Sequence, residues 1–245
     1  MIKAIIFDLD GTLIQTEILK AKSYALAVNT LTKDAVAVQS VLDSFKKYVG
    51  LSRLEVAAGL VDDYRKELQQ HFVDDGQQTM EDWVLSKRLS IYQEMVNDPE
   101  LLSHYFCKYN LGLLHEVSKD EFKVVLATMS HLKEAEKVLK ILGVKDKLDL
   151  VLTRDNVSEG KPDPEIYLQA KKIMQVEAHE CIVIEDSVNG IKAGINAEMH
   201  VFAATNSITN ESVINADLLT EEYIIEHPKE LRDRIYNFIN AIKNN

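Results

Sequence analysis

The chain has 245 residues, 46% of them hydrophobic and 27% charged, the balance of a globular protein long enough to bury a sizeable core. A formal net charge of −11 argues against nonspecific nucleic-acid binding, which needs a basic surface, so an anionic ligand must be met by local cations. No stretch reads as a membrane span and the apolar run before Asp8 is too short for a secretory signal, so a cytoplasmic location is expected. Cys107 and Cys181 lie far apart without a Cys-x-x-Cys spacing and are expected to be reduced thiols rather than a disulfide or a zinc site.

The first element is read from residues 5–13, IIFDLDGTL. Ile5, Ile6 and Phe7 suit a short strand buried on both faces, with Asp8 at its carboxyl end and Asp10 two residues on. Residues i and i+2 of an extended chain point the same way, so Asp8 and Asp10 can flank one group. Two like charges at about 4 Å cost roughly 4 kcal/mol at an effective dielectric near 20, so this loop needs positive charge or hydrogen-bond donors from elsewhere.

From about residue 16 to about 112 the chain shows helical patterns and almost no strand character. Helices are predicted over EILKAKSYALAVNTL, SRLEVAAGLVDDYRKELQQHF and MEDWVLSKRLSIYQEMV, with a turn at Asp74-Asp75-Gly76 and with Trp83, Tyr92 and Met95 as a core stripe. So long a stretch is too much for one crossover, and it is read as an inserted helical domain, 16–112, within a core made of 1–15 and 113–245. Strands then alternate with helices: strands at 123–128, 148–153, 181–186 and 200–205, a helix from His131 to a C-cap at Gly143, and helices in DPEIYLQAKKIM and SVNGIKAGINA. The expected fold class is α/β, a Rossmann-like parallel sheet with helices on both faces plus an all-α insertion.

In such sheets ligands bind at the carboxyl ends of the strands, where Asp8, Thr128, Thr153 and the pair Glu185-Asp186 would stand. Clustered carboxylates suit the all-oxygen ligation that Mg²⁺ prefers. Gly11 would let backbone amides approach an oxyanion, Thr12 would add a donor, and Lys161, stiffened by Pro162 and Pro164, would supply a cation.

In their order these residues resemble the haloacid dehalogenase-like hydrolase superfamily, in its phosphatase and phosphohexomutase branch with a helical cap. The first motif stands as Asp8-Leu9-Asp10-Gly11-Thr12-Leu13, the second as Thr128 in LATMS, the third as Lys161 in GKPDPEIY and the fourth as Glu185-Asp186-Ser187. The resemblance implies that Asp8 attacks phosphorus to form an aspartyl-phosphate, that Asp10 is general acid and then base, and that Thr128 and Lys161 hold phosphoryl oxygens. It also implies Mg²⁺ on Asp8, the Asp10 carbonyl and Asp186, with Glu185 directly or through water, and a mobile cap that excludes water. Ser130 joins Gly11 and Thr12 as an expected substrate contact, and in the cap GLSRLE and SKRLSIY nominate Ser52, Arg53 and Lys87.

Three departures accompany the resemblance. Gln15 stands where the family commonly has Asp, Lys20 stands where phosphoglucomutases place a histidine, and the return hinge YNLGLLHEV lacks the Pro-Gly pair and keeps only Gly112. The missing histidine favours hydrolysis. The expectation is a Mg²⁺-dependent phosphatase for a small phosphorylated metabolite such as a sugar or polyol phosphate, with a β-phosphoglucomutase-like phosphohexomutase as the alternative. A non-catalytic phospho-aspartate signalling protein is the third reading.

Overall fold

The structure, a computed structural model, describes residues 1–48 and 51–243. Its sheet contains β1 (Ala4–Phe7), β2 (Lys123–Ala127), β3 (Leu150–Leu152), β4 (Cys181–Glu185), β5 (His200–Ala204) and β6 (Ile224–Ile225), ordered β3-β2-β1-β4-β5-β6. All neighbouring pairs are parallel, with Ile5 of β1 level with Val124 of β2 and Ile182 of β4. Strand order therefore reverses beside β1, the switch point at which open parallel sheets form their ligand crevice.

The helices, in chain order, are α1 (Thr16–Leu31), α2 (Val38–Phe45), α3 (Arg53–Asp63), α4 (Arg65–Gln69), α5 (Met80–Asn97) and α6 (Pro99–Ser103), then α7 (Lys108–Val117), α8 (Leu132–Leu142), α9 (Glu165–Met174), α10 (Val188–Asn196), α11 (Asn210–Ala216) and α12 (Leu231–Lys243). The chain divides into two units, Met1–Gln15 with Tyr105–Asn245, and Thr16–His104. No helix among the described residues is long and apolar enough to cross a membrane.

In the first unit the strands are short and rich in Val, Ile and Ala, and β1 and β4 are buried along their whole length. One core layer joins Ile6, Val125, Val183 and Val201 of the sheet to Ile166, Tyr167 and Ala170 of α9 and Ile191 of α10. The apolar stripe Ala135, Val138, Leu139 and Leu142 buries one face of α8, and Gly143 ends it in the left-handed region at φ 67°.

The second unit has its own core, in which Tyr24 and Val28 of α1, Val41 and Phe45 of α2, Leu60 of α3 and Val84 of α5 pack together. Its helix starts follow local chemistry: Ser52 with Glu55, and Thr79 with Asp82, close reciprocal capping boxes.

Three expectations need correction. The expected boundary at 112/113 lies at 104/105, because residues 109–117 are not a hinge: they belong to α7, whose Leu111, Leu113, Leu114 and Val117 are buried, and Gly112 is inside that helix. The helix expected over 52–72 breaks at Tyr64, which leaves helical geometry at φ −124° and ψ 24° without a Gly or Pro to mark it. Trp83 and Tyr92 form no common stripe, since nine residues carry a helix through two and a half turns: Trp83 packs on Phe72 and Tyr92 on Arg88. The segment GLSRLE begins at Gly50, which lies outside the described residues.

Candidate active site

Asp8 follows β1 and its amide donates to the Ile184 carbonyl at 3.0 Å, so the ladder with β4 delivers it, 6% exposed, to the edge of the sheet. The chain then folds back: the amides of Leu13 and Ile14 both donate to the Leu9 carbonyl, at 2.9 and 3.2 Å, and the Gly11 amide donates to the Ile14 carbonyl at 2.7 Å. Gly11 has φ 88°, and a Cβ there would lie 2.0 Å from Asp186 Oδ2, so only glycine gives the turn and leaves space for that carboxylate. The Gly11 amide is taken up by the turn itself, so any amide that meets an oxyanion here belongs to a neighbouring residue. Thr12 is fully buried, and Asn110 Nδ2 donates to its carbonyl at 2.7 Å.

Lys161 reaches three oxygens: Asp8 Oδ1 at 2.7 Å, the Ala127 carbonyl at 2.9 Å and Glu185 Oε1 at 2.5 Å. Burial works against its charge, but Asp8 and Glu185 outweigh burial and hold its pKa well above the ordinary lysine value. Glu185 is fixed on both oxygens: the Tyr167 hydroxyl donates to Oε1 at 3.0 Å, and the Asp186 amide and Ser187 hydroxyl donate to Oε2 at 3.0 and 3.1 Å.

Asp10 stands across the loop. Its Oδ2 accepts from the Thr128 hydroxyl at 3.2 Å and from the Ser130 hydroxyl at 2.6 Å, while the Ser130 amide donates to Thr128 Oγ1 at 3.0 Å. The end of β2 and the loop after it thus hold Asp10, whereas Lys161 and the end of β4 hold Asp8. Thr153, the other threonine at a strand end, takes no part: its hydroxyl donates to Asn156 Oδ1 at 3.0 Å and caps a short turn.

Asp8, Glu185 and Asp186 each offer a carboxylate oxygen, all within 4.8 Å of one another and all buried. Burial is the main force pushing Asp8 up to about 8; the Lys161 ammonium opposes it, and Glu185 and Asp10 add to the rise. Lys161 pairs with two of these three buried acids, Asp8 and Glu185, while Asp186 accepts from Asn206. Their all-oxygen donor set and the cradle left by Gly11 against Asp186 fit a hard divalent cation.

Sequence reasoning missed two supporting side chains: Tyr167 beneath Glu185, and Asn206, whose Nδ2 donates to Asp186 Oδ2 at 2.9 Å. Asn206 directly follows the strand read over 200–205, and the same strand-end reasoning would have found it.

Ser52, Arg53 and Lys87 lie in the helical unit. Ser52 Oγ accepts the Glu55 amide at 3.3 Å as a helix cap, Arg53 is exposed, and Lys87 is half-buried on α5. Beside Lys87, Arg88 is 3% exposed, its guanidinium 4.9 Å from the ring centre of Tyr24 and 4.5 Å from that of Tyr92, with Nε unpartnered. Burial pulls its pKa below the ordinary arginine value.

The family model described as haloacid dehalogenase-like hydrolase matches residues 2–198. The chain belongs to this family. It is 30% identical over 223 residues to the validoxylamine A 7'-phosphate phosphatase of Streptomyces hygroscopicus subsp. limoneus, covering 91% of this chain and 94% of the relative. It is 25% identical over 212 residues to the phosphorylated carbohydrates phosphatase of Thermotoga maritima, covering 85% of this chain and 88% of the relative. Among solved structures, the β-phosphoglucomutase of Clostridium difficile matches with a TM-score of 0.62 at 23% identity, over 98% of this chain and 99% of that one. The haloacid dehalogenase-like fold, with its parallel sheet and helical insertion, is therefore this chain's fold, and the chain is a hydrolase of the phosphatase and phosphohexomutase branch.

Proposed function

We infer that the protein is a cytoplasmic Mg²⁺-dependent phosphatase acting on a small phosphorylated metabolite, a sugar or polyol phosphate, through an aspartyl-phosphate on Asp8. The observation that carries the reading is the division of labour between two carboxylates two residues apart: Asp8 is gripped by Lys161, and Asp10 by Thr128 and Ser130. The phosphatase names of relatives spanning most of the chain support it.

In the first step an Asp8 oxygen bonds to phosphorus as the bond from phosphorus to the ester oxygen breaks, and Asp10 gives that oxygen a proton. In the second, water attacks the phosphorus, Asp10 takes its proton, and inorganic phosphate leaves with the Asp8 carboxylate restored. Lys161 and Thr128 stabilise the negative charge that spreads over the phosphoryl oxygens in both transition states. Asp8 and Asp186, with the Asp10 carbonyl and Glu185, would hold Mg²⁺, which when bound neutralises the acid cluster and polarises a phosphoryl oxygen. Lys20, paired with Glu17 at 2.5 Å, stands where a mutase would carry a histidine, which favours release of phosphate over its return to a sugar.

Phosphate release is measured from a panel of sugar, polyol and nucleoside phosphates and an aryl phosphate, with and without Mg²⁺. Metal-dependent release that falls at least roughly a thousandfold in Asp8→Asn is expected. A native protein that releases no phosphate but isomerises hexose phosphates is a mutase, and one that does neither supports the signalling reading.

A further inference from the structure

Gln15 departs from the family pattern, and the chemistry above leaves it unused. Its Nε2 donates to the Gly11 carbonyl at 3.1 Å and to Cys107 Sγ at 3.0 Å. A carbonyl can only accept, so the NH2 end of the side chain faces Gly11, and an ionised aspartate at this place could not make that bond. Burial pushes the Cys107 thiol up to about 11, and the Asp186 charge adds to the rise, so the sulfur meets Gln15 as a neutral acceptor. Asn110 on α7 acts in the same way one residue further along the turn, its Nδ2 donating to the Thr12 carbonyl at 2.7 Å. Two side-chain amides thus take two consecutive carbonyls of the turn that follows Asp10.

Packing does not explain the two amides. Gln15 Oε1 and Asn110 Oδ1 are buried without a protein donor among the described residues, and a buried acceptor left so costs stability. Packing alone would favour an apolar side chain at both places; what the amides supply is the N–H. The turn they hold is the one whose Gly11, by its missing Cβ, leaves the space that Asp186 Oδ2 fills, and a small displacement of Gly11 is a displacement against that carboxylate.

We propose that Gln15 and Asn110 are positioning residues of the active site: by holding the Gly11 and Thr12 carbonyls, their amides fix the turn against Asp186 and so set the affinity of the acid cluster for a divalent cation. The inference rests on the reading that this cluster holds Mg²⁺.

The test titrates Mg²⁺ calorimetrically into the native protein, Gln15→Met and Asn110→Leu, which keep the bulk of each side chain and remove its N–H. Leu142→Ala, on the buried stripe of α8, is the control for a plain loss of stability, and the Tm of every variant is read in chelator. Each loss of an amide is expected to raise the Kd for Mg²⁺ about five- to tenfold, the worth of one net hydrogen bond, whereas Leu142→Ala lowers Tm and keeps the native Kd. An unchanged Kd in either folded variant, or a rise no greater than that of Leu142→Ala, overturns the proposal and leaves the metal site standing. Gln15 is only partly buried, so its variant decides the matter if Asn110→Leu does not fold. A native protein that takes up no Mg²⁺ removes the metal reading and this one with it.

Discussion

Gly11 shows how one missing Cβ sets the site. At φ 88° and with Asp186 Oδ2 only 2.0 Å from where a Cβ would lie, Gly11→Ala must both strain the turn and displace a carboxylate of the acid cluster. We expect Gly11→Ala to lose stability on the order of 1–3 kcal/mol, read as a lower Tm, and to lose metal-dependent activity by more than a hundredfold. The acids of this site were legible because each is a charge at the end of an apolar run, a pattern the chain would not carry without a partner for the charge. Tyr167 was not, because a tyrosine in a helical stripe reads as core: it is core, fully buried, and its hydroxyl happens to end at Glu185.

At the scale of elements, five strands were read within three residues of their observed ends, since short β-branched runs closed by a polar residue have few other places to go. β6 has two residues, too few for any periodicity, and the stripe Leu231, Ile235 and Ile239 that buries α12 begins beyond the last segment the sequence reading used. The edge that β5 and α12 share gives a pH-dependent prediction. His200 heads β5 with its Nε2 3.1 Å from the His179 carbonyl, to which it donates, and its ring edge-on to Phe238 at 4.8 Å. Burial is the chief cause that keeps its pKa below the ordinary histidine value. The unfolded chain therefore takes up the proton first as pH falls, so this contribution to stability is whole above about pH 7 and is lost as pH drops through 6.5 toward the depressed value. The ring is partly exposed and screened, so the loss is small. Thermal melts between pH 5 and pH 8 should show a shallower acid-side decline in His200→Gln than in the native protein.

At the scale of the whole molecule, the charge of −11 and the buried acids make cation binding a matter of stability as well as chemistry. A cation that binds the folded site at a hundred times its Kd adds about 2.7 kcal/mol, so saturating Mg²⁺ should raise Tm by roughly 5–10 °C over the chelated protein. Asp186→Asn should abolish most of that rise, and an equal rise in native and variant would place the cation elsewhere. The helical insertion itself was legible as a hundred residues without a strand; its closing boundary was not, because the sequence marks helices better than it marks which core they join. The two segments that border the insertion run side by side: Gln15 donates to the Tyr105 carbonyl at 2.8 Å, Cys107 to the Leu13 carbonyl at 3.0 Å, and Ile14 bridges Phe106 antiparallel. The exit and the return are thus sewn together inside the unit that carries Asp8, like the two sides of a buttonhole. Whatever is threaded between them can be lengthened, shortened or exchanged while β1 and its aspartates keep their places, which makes the insertion the part of the chain freest to change without disturbing the acids.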